Sequence, residues 1–70
     1  MKLSARNALA GTVVAIVRGA TTAHVKIDVG DGVVVTAAVT NEAVDALKLQ
    51  IGQAATAIIK ASDVMVGIDE

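Results

Sequence analysis

From Ala23 to Val29 the chain alternates without a break: Ala23, Val25, Ile27 and Val29 fall on one side, and His24, Lys26 and Asp28 on the other. A period of two puts successive side chains on opposite faces of an extended backbone, so this run is a strand with one buried face and one wet one. Gly30-Asp31-Gly32 then turns the chain into Val33–Val39, the second arm of a hairpin.

The flanking segments extend the pattern. Leu9 to Arg18 carries Val13, Val14, Ile16 and Val17 and reads as an earlier strand, buried in part on both faces and ended by Gly19. The turn Gly19-Ala20-Thr21-Thr22 is built of small residues that leave backbone amides open to a neighbour or a ligand. After the hairpin, Thr40 or Asn41 caps a short helix running to about Lys48, with Glu42 in its first turn and Val44 and Leu47 as its apolar stripe. Gln50–Gln53 forms another turn, Ala54–Lys60 a fourth strand, and Val64–Ile68 a last one. Three strands, a helix and two strands is the order of a small five-stranded Greek-key barrel of the OB type, with its helix between strands 3 and 4.

Side-chain usage agrees with a mainly β chain. Twelve Val and six Ile stand against four Leu, and β-branched side chains fit pleated surfaces better than helical turns. Ala and Val supply 26 of the 38 apolar residues, and there is no Phe, Tyr, Trp or Cys. A single domain of 70 residues hides only ~60% of its unfolded surface when it folds alone, and here neither a disulfide nor a bulky core can compensate. Assembly with copies of itself is the expected stabiliser.

Several function classes drop out. The net charge of −1, with basic and acidic residues interspersed and no aromatic to stack on a base, disfavours nucleic acid. An OB-fold nucleic-acid binder is therefore a lesser alternative, as is a structural or regulatory oligomer without a specific ligand. No apolar run of eighteen residues and no secretory leader is evident, so a soluble cytoplasmic protein without membrane contact is expected. No nucleophile–base pair or paired carboxylates stand out, so no catalytic residue is assigned and the chain is not expected to be an enzyme. His24, the one histidine, has no Cys or second His beside it and cannot build a metal site.

What remains is donor chemistry. Ser4 with Arg6, and Lys60 with Ser62, are i, i+2 pairs that in extended backbone aim a hydroxyl and a cation in one direction. With Thr40 they form a set rich in donors, suited to an anion whose oxygens carry no proton.

Ser4-Ala5-Arg6-Asn7, Leu9-x-Gly11-x-Val13, Gly19-Ala20, Thr36-Ala37-x-x-Thr40 and Ile59-Lys60-Ala61-Ser62 together resemble the molybdenum-pterin-binding (Mop) family, the molbindins, built on a TOBE-type domain. The resemblance runs from about residue 2 to residue 68 and implies an OB-like barrel assembled as a trimer of dimers. It also implies binding of molybdate or tungstate between subunits by Ser4, Arg6, Thr40, Lys60 and Ser62, with Ala5, Asn7 and Ala61 contributing backbone or supporting contacts. The resemblance further points to a second site made largely of backbone amides, for which Gly19, Ala20 and Thr22 are the candidates. At Ala43, where many relatives carry Ser, this chain offers one hydroxyl fewer. Molybdenum would enter only as the oxyanion: no metal cation site is expected, and with no aromatic to lie on a pterin ring, no pterin. One further expectation is that Ser4 and Arg6 come from one subunit and Lys60 and Ser62 from its neighbour.

Overall fold

A computed structural model describes Lys2 and residues 4–69. Its elements are β1 (Asn7–Arg18), β2 (Thr22–Gly30), β3 (Val33–Thr40), a helix α1 (Asn41–Ala46), β4 (Ala54–Ile59) and a single 3-10 turn at Ala61–Asp63. The four strands form one antiparallel sheet in the order β3-β2-β1-β4.

β1 is the hub, because its two halves serve different neighbours. Asn7 to Thr12 pair with Ile59 to Ala54 of β4, while Thr12 to Arg18 pair with Asp28 to Ala23 of β2. The changeover coincides with a register shift between Val13 and Ala15. A bulge bends a strand and increases its twist, which lets one strand leave one partner and join the next and curls the sheet into a half-barrel. Val13, at the bend, is fully buried, and its backbone bonds the turn before β4: Val13 N–H donates to the Gln53 carbonyl (2.9 Å), and Gly52 N–H donates to the Val13 carbonyl (2.8 Å).

On β2 the alternation in the sequence becomes packing. Ala23, Val25 and Ile27 are buried, His24 and Lys26 are exposed, and with Val13, Val44 and Ala57 the three buried residues form the core among the described residues. The β2–β3 turn uses left-handed backbone at Asp31 (φ 51°) and Gly32 (φ 76°), and Asp28 Oδ1 steadies it by accepting from Gly30 N–H at 2.8 Å.

α1 is shorter than the sequence implies, and its end explains why. Lys48 is left-handed (φ 52°), its N–H donates to the Asp45 carbonyl (3.1 Å), and Leu49 N–H reaches back to the Val44 carbonyl (3.0 Å). That pair of bonds is a Schellman closure with Lys where Gly is usual, and it sends Leu49 against the core beside Val44. At the other end Thr40 is the cap: its Oγ1 accepts from Ala43 N–H at 3.0 Å.

The expected fifth strand requires correction. Among the described residues Val64–Ile68 belongs to no ladder, and the sheet has four strands. The apolar run has the composition of a strand, but period-two patterning identifies a residue set fit for a sheet and not the edge that receives it. After Ile59 the chain closes a 3-10 turn, with Asp63 N–H on the Lys60 carbonyl (2.9 Å) and Val64 N–H on the Ala61 carbonyl (3.3 Å), and departs from the sheet. The barrel is thereby left open between β3 and β4.

Candidate functional site

The first ladder pair of β1 and β4 is Asn7 with Ile59, and the Asn7 side chain reinforces it by donating from Nδ2 to the Ile59 carbonyl at 3.2 Å. One residue outward on each strand stand Arg6 and Lys60; two further stand Ser4 and Ser62. The antiparallel register therefore brings both sequence-distant donor stretches to one end of one ladder in one chain. Asn7, expected as a supporting residue, acts as the clamp that ties them together. Arg6, Lys60, Ser4 and Ser62 are all exposed, Ala5 is half-buried, and Ala61 opens the 3-10 turn between the lysine and the serine. Among the described residues no carboxylate lies within salt-bridge distance of Arg6 or Lys60.

Thr40 is elsewhere. It pairs with Thr22, next to the pairing of Ala23 with Arg18, and so sits by the far end of the twelve-residue β1 from Asn7. A strand of that length spans ~36 Å if straight, and even after curling the two groups occupy opposite ends of the domain. The four donors and Thr40 are thus not brought together within one chain.

The company Thr40 keeps is the second candidate group. Asn41, the residue after it, donates from Nδ2 to the Gly19 carbonyl (3.0 Å) and from its backbone to the Thr21 carbonyl (2.9 Å), binding the start of α1 to the turn that holds Gly19, Ala20 and Thr22. Its Oδ1 is buried and has no partner among the described residues. This bracing role was not legible in the sequence, where Asn41 read only as an alternative helix cap. A shallow pocket of about 230 Å³ lies at this end, lined by Val17, Arg18, Gly19, Thr22 and His24, with Arg18 bonded to Asp45 at 2.7 Å. Arg18 and Asp45 are both well exposed, and such a pair contributes little stability. α1 has only six residues, so its amides serve as the capped start of a turn and not as an anion cradle.

A curled antiparallel sheet with one short helix between its third and fourth strands is the architecture of the small OB-like β domains. The chain matches the TOBE domain over residues 3–66 and belongs to that family, within it to the molybdenum-pterin-binding (Mop) proteins. It is 51% identical over 69 residues to a probable molybdenum-pterin-binding protein of Haemophilus influenzae, covering 99% of this chain and 100% of that one. Among solved structures, a molybdate-binding protein from Sporomusa ovata superposes with a TM-score of 0.90 at 38% identity, covering 97% of this chain and all of that one. The cytoplasmic molybdate-binding protein ModG, with molybdate bound, superposes with a TM-score of 0.93 at 46% identity; the match covers 99% of this chain and 49% of ModG. These relatives are described as binding proteins. Among the described residues no helix is long and apolar enough to cross a membrane, and no cluster of His, Cys, Asp and Glu has metal-holding geometry.

Proposed function

We propose that the chain binds molybdate and tungstate, as a non-enzymatic cytoplasmic buffer or store of the oxyanion, at sites shared between copies in a trimer of dimers. The observation that carries this is the β1–β4 register, which delivers Ser4, Arg6, Lys60 and Ser62 to one ladder end in one chain. Two cations and two hydroxyls match a tetrahedral dianion that is fully deprotonated at neutral pH. Phosphate, partly protonated there, is matched less well by a set of donors.

Exposure argues for a shared site. In water an exposed cation attracts an anion weakly, and the attraction grows as water is excluded. All four donors are exposed in the single chain, so tight binding needs a second copy to cover them. Thr40, which one chain holds at its opposite end, is supplied by that covering copy. The single-chain register favours a partition in which those four act from one chain and Thr40 from the other, over the expected split between Ser4/Arg6 and Lys60/Ser62. The turn of Gly19, Ala20 and Thr22, next to the shallow pocket, is the proposed second site.

Binding is tested by thermal unfolding. Molybdate at ~100 times its dissociation constant should stabilise each independent site by ~2.7 kcal/mol. For a domain of this size that raises Tm by about 10 °C or more. Tungstate should act alike and phosphate far less. A Tm raised by phosphate and indifferent to molybdate overturns the assignment.

A further inference from the structure

Asn41 keeps a polar side chain where stability alone gives no reason for one. Its Nδ2 donates to the Gly19 carbonyl at 3.0 Å, its backbone N–H donates to the Thr21 carbonyl at 2.9 Å, and its Oδ1 is buried with no partner among the described residues. A single hydrogen bond contributes modestly once its exchange with water is counted, and a buried acceptor without a donor costs about as much, so the side chain as a whole adds little. Turning the amide over does not help, because Oδ1 would then face the Gly19 carbonyl, acceptor against acceptor. Asn is also a weak helix former, and at the start of α1 the cap is already supplied by Thr40. Gly19 is exposed, so water can serve its carbonyl in the absence of Asn41.

What the side chain does fix is its neighbour. Thr40 is the last residue of β3, an edge strand, and its ladder partner is Thr22 on one side only. Ladder ends of this kind open readily. Asn41, bonded directly to Thr40, adds two hydrogen bonds beyond that last pair, to two different carbonyls of the 19–22 turn, so the backbone at Thr40 can neither slide nor swivel. The turn is a firm anchor: Gly19 N–H donates to the Thr22 carbonyl at 2.7 Å, and a Cβ on Gly19 would stand 3.0 Å from that same oxygen. With the backbone held, Thr40 Oγ1 accepts from Ala43 N–H at 3.0 Å, which occupies a lone pair and leaves the hydroxyl proton free to donate away from the helix. We infer that Asn41 is a positioning residue, which holds the Thr40 hydroxyl in the place and orientation from which it donates to the anion; as a role toward the anion, this rests on the oxyanion reading. Placement matters there because a hydrogen bond to a charged acceptor is about twice as strong as a neutral one and weakens steeply when misaligned.

Asn41→Ala, Thr40→Val and the double variant test this together. Asn41→Ala should move Tm by less than about 5 °C, yet weaken molybdate binding, titrated well below Tm, by about tenfold or more, as expected when a hydrogen bond to a charged group is lost. Thr40→Val removes the donor itself. If Asn41 acts through Thr40 the two losses are not additive, and the double variant binds no more weakly than Thr40→Val alone. Thr40→Val also removes the cap of α1, so affinities are read on protein whose β spectrum and native mass match the unsubstituted chain. A lowered Tm with unchanged affinity marks a structural role and overturns the assignment; so does an equal further loss when Asn41→Ala is added to Thr40→Val. A second measurement needs no anion. In Asn41→Ala the Ala43 amide, which the Thr40 cap protects, should exchange with solvent several-fold faster, while the Val25 amide in the middle of β2 exchanges as before. Equal acceleration at both amides, or none at Ala43, overturns the assignment. Where the unsubstituted chain fails to bind molybdate but Ala43 exchange responds as stated, it is the oxyanion reading that falls, and Asn41 still places the Thr40 hydroxyl.

Discussion

Gly11→Ala should destabilise the fold by about 3 kcal/mol, at the upper end of what forced overpacking usually costs. A Cβ built on Gly11 would lie 2.3 Å from the Asp28 carbonyl oxygen, 2.9 Å from Ile27 Cγ2 and 3.0 Å from the Asp28 carbonyl carbon. Two of these three atoms are backbone of β2, at the place where β1 passes from β4 to β2, so no side-chain rotation relieves the clash. The strands must separate, and Val13 and Ile27, both core residues, separate with them. In a domain of marginal stability this removes a large share of the total and lowers Tm by more than about 10 °C. Thr12→Ala, one residue further along and exposed, should cost no more than about 1 kcal/mol. Chemical denaturation of both variants checks the pair; a Gly11→Ala protein as stable as Thr12→Ala would mean that β1 and β2 do not approach so closely.

What the sequence made legible follows from the physics of each signal. The β2 alternation, the Gly30–Gly32 hairpin and the helix between strands 3 and 4 are local, and the structure keeps them; of the two caps the sequence offers, Thr40 and Asn41, it uses Thr40. The long-range facts were not local. Nothing in residues 7–18 announces that β1 divides its ladder at Gly11–Ala15, because the division depends on which strands lie on either side. For the same reason an apolar run at Val64–Ile68 looked like a fifth strand of its own barrel, although it pairs with nothing in the single chain. The candidate site shows the same limit. Ser4, Arg6, Lys60 and Ser62 were identifiable as donors by type and spacing, but their meeting at one ladder end comes from the Asn7–Ile59 pairing. The distance of Thr40 from them comes from the β2–β3 register.

That distance leads to the strongest test of a shared site. Lys60→Ala removes a cation from a site that the covering copy desolvates and should weaken molybdate binding by ~2–5 kcal/mol, whereas Lys26→Ala, on the exposed face of β2, should leave it unchanged. Arg6→Ala should act like Lys60→Ala. Thr40→Asp keeps an oxygen to cap α1, since Asp caps at least as well as Thr, but sets a carboxylate against the anion and should abolish binding without unfolding the helix. If one chain contributes Arg6 and Lys60 and another contributes Thr40, refolding Lys60→Ala chains together with Thr40→Asp chains assembles some sites from the intact end of each. In a reciprocal pair one site then carries both substitutions and its mate carries neither, so up to half the sites in mixed pairs should bind normally. Refolding Arg6→Ala with Lys60→Ala should recover nothing, because every donor end still lacks one cation. Calorimetric titration of the two mixtures, with mixed assemblies confirmed by native mass, reads the difference directly. Recovery in the Arg6/Lys60 mixture would place those two residues on different chains at the site, and recovery in neither would place Thr40 outside it.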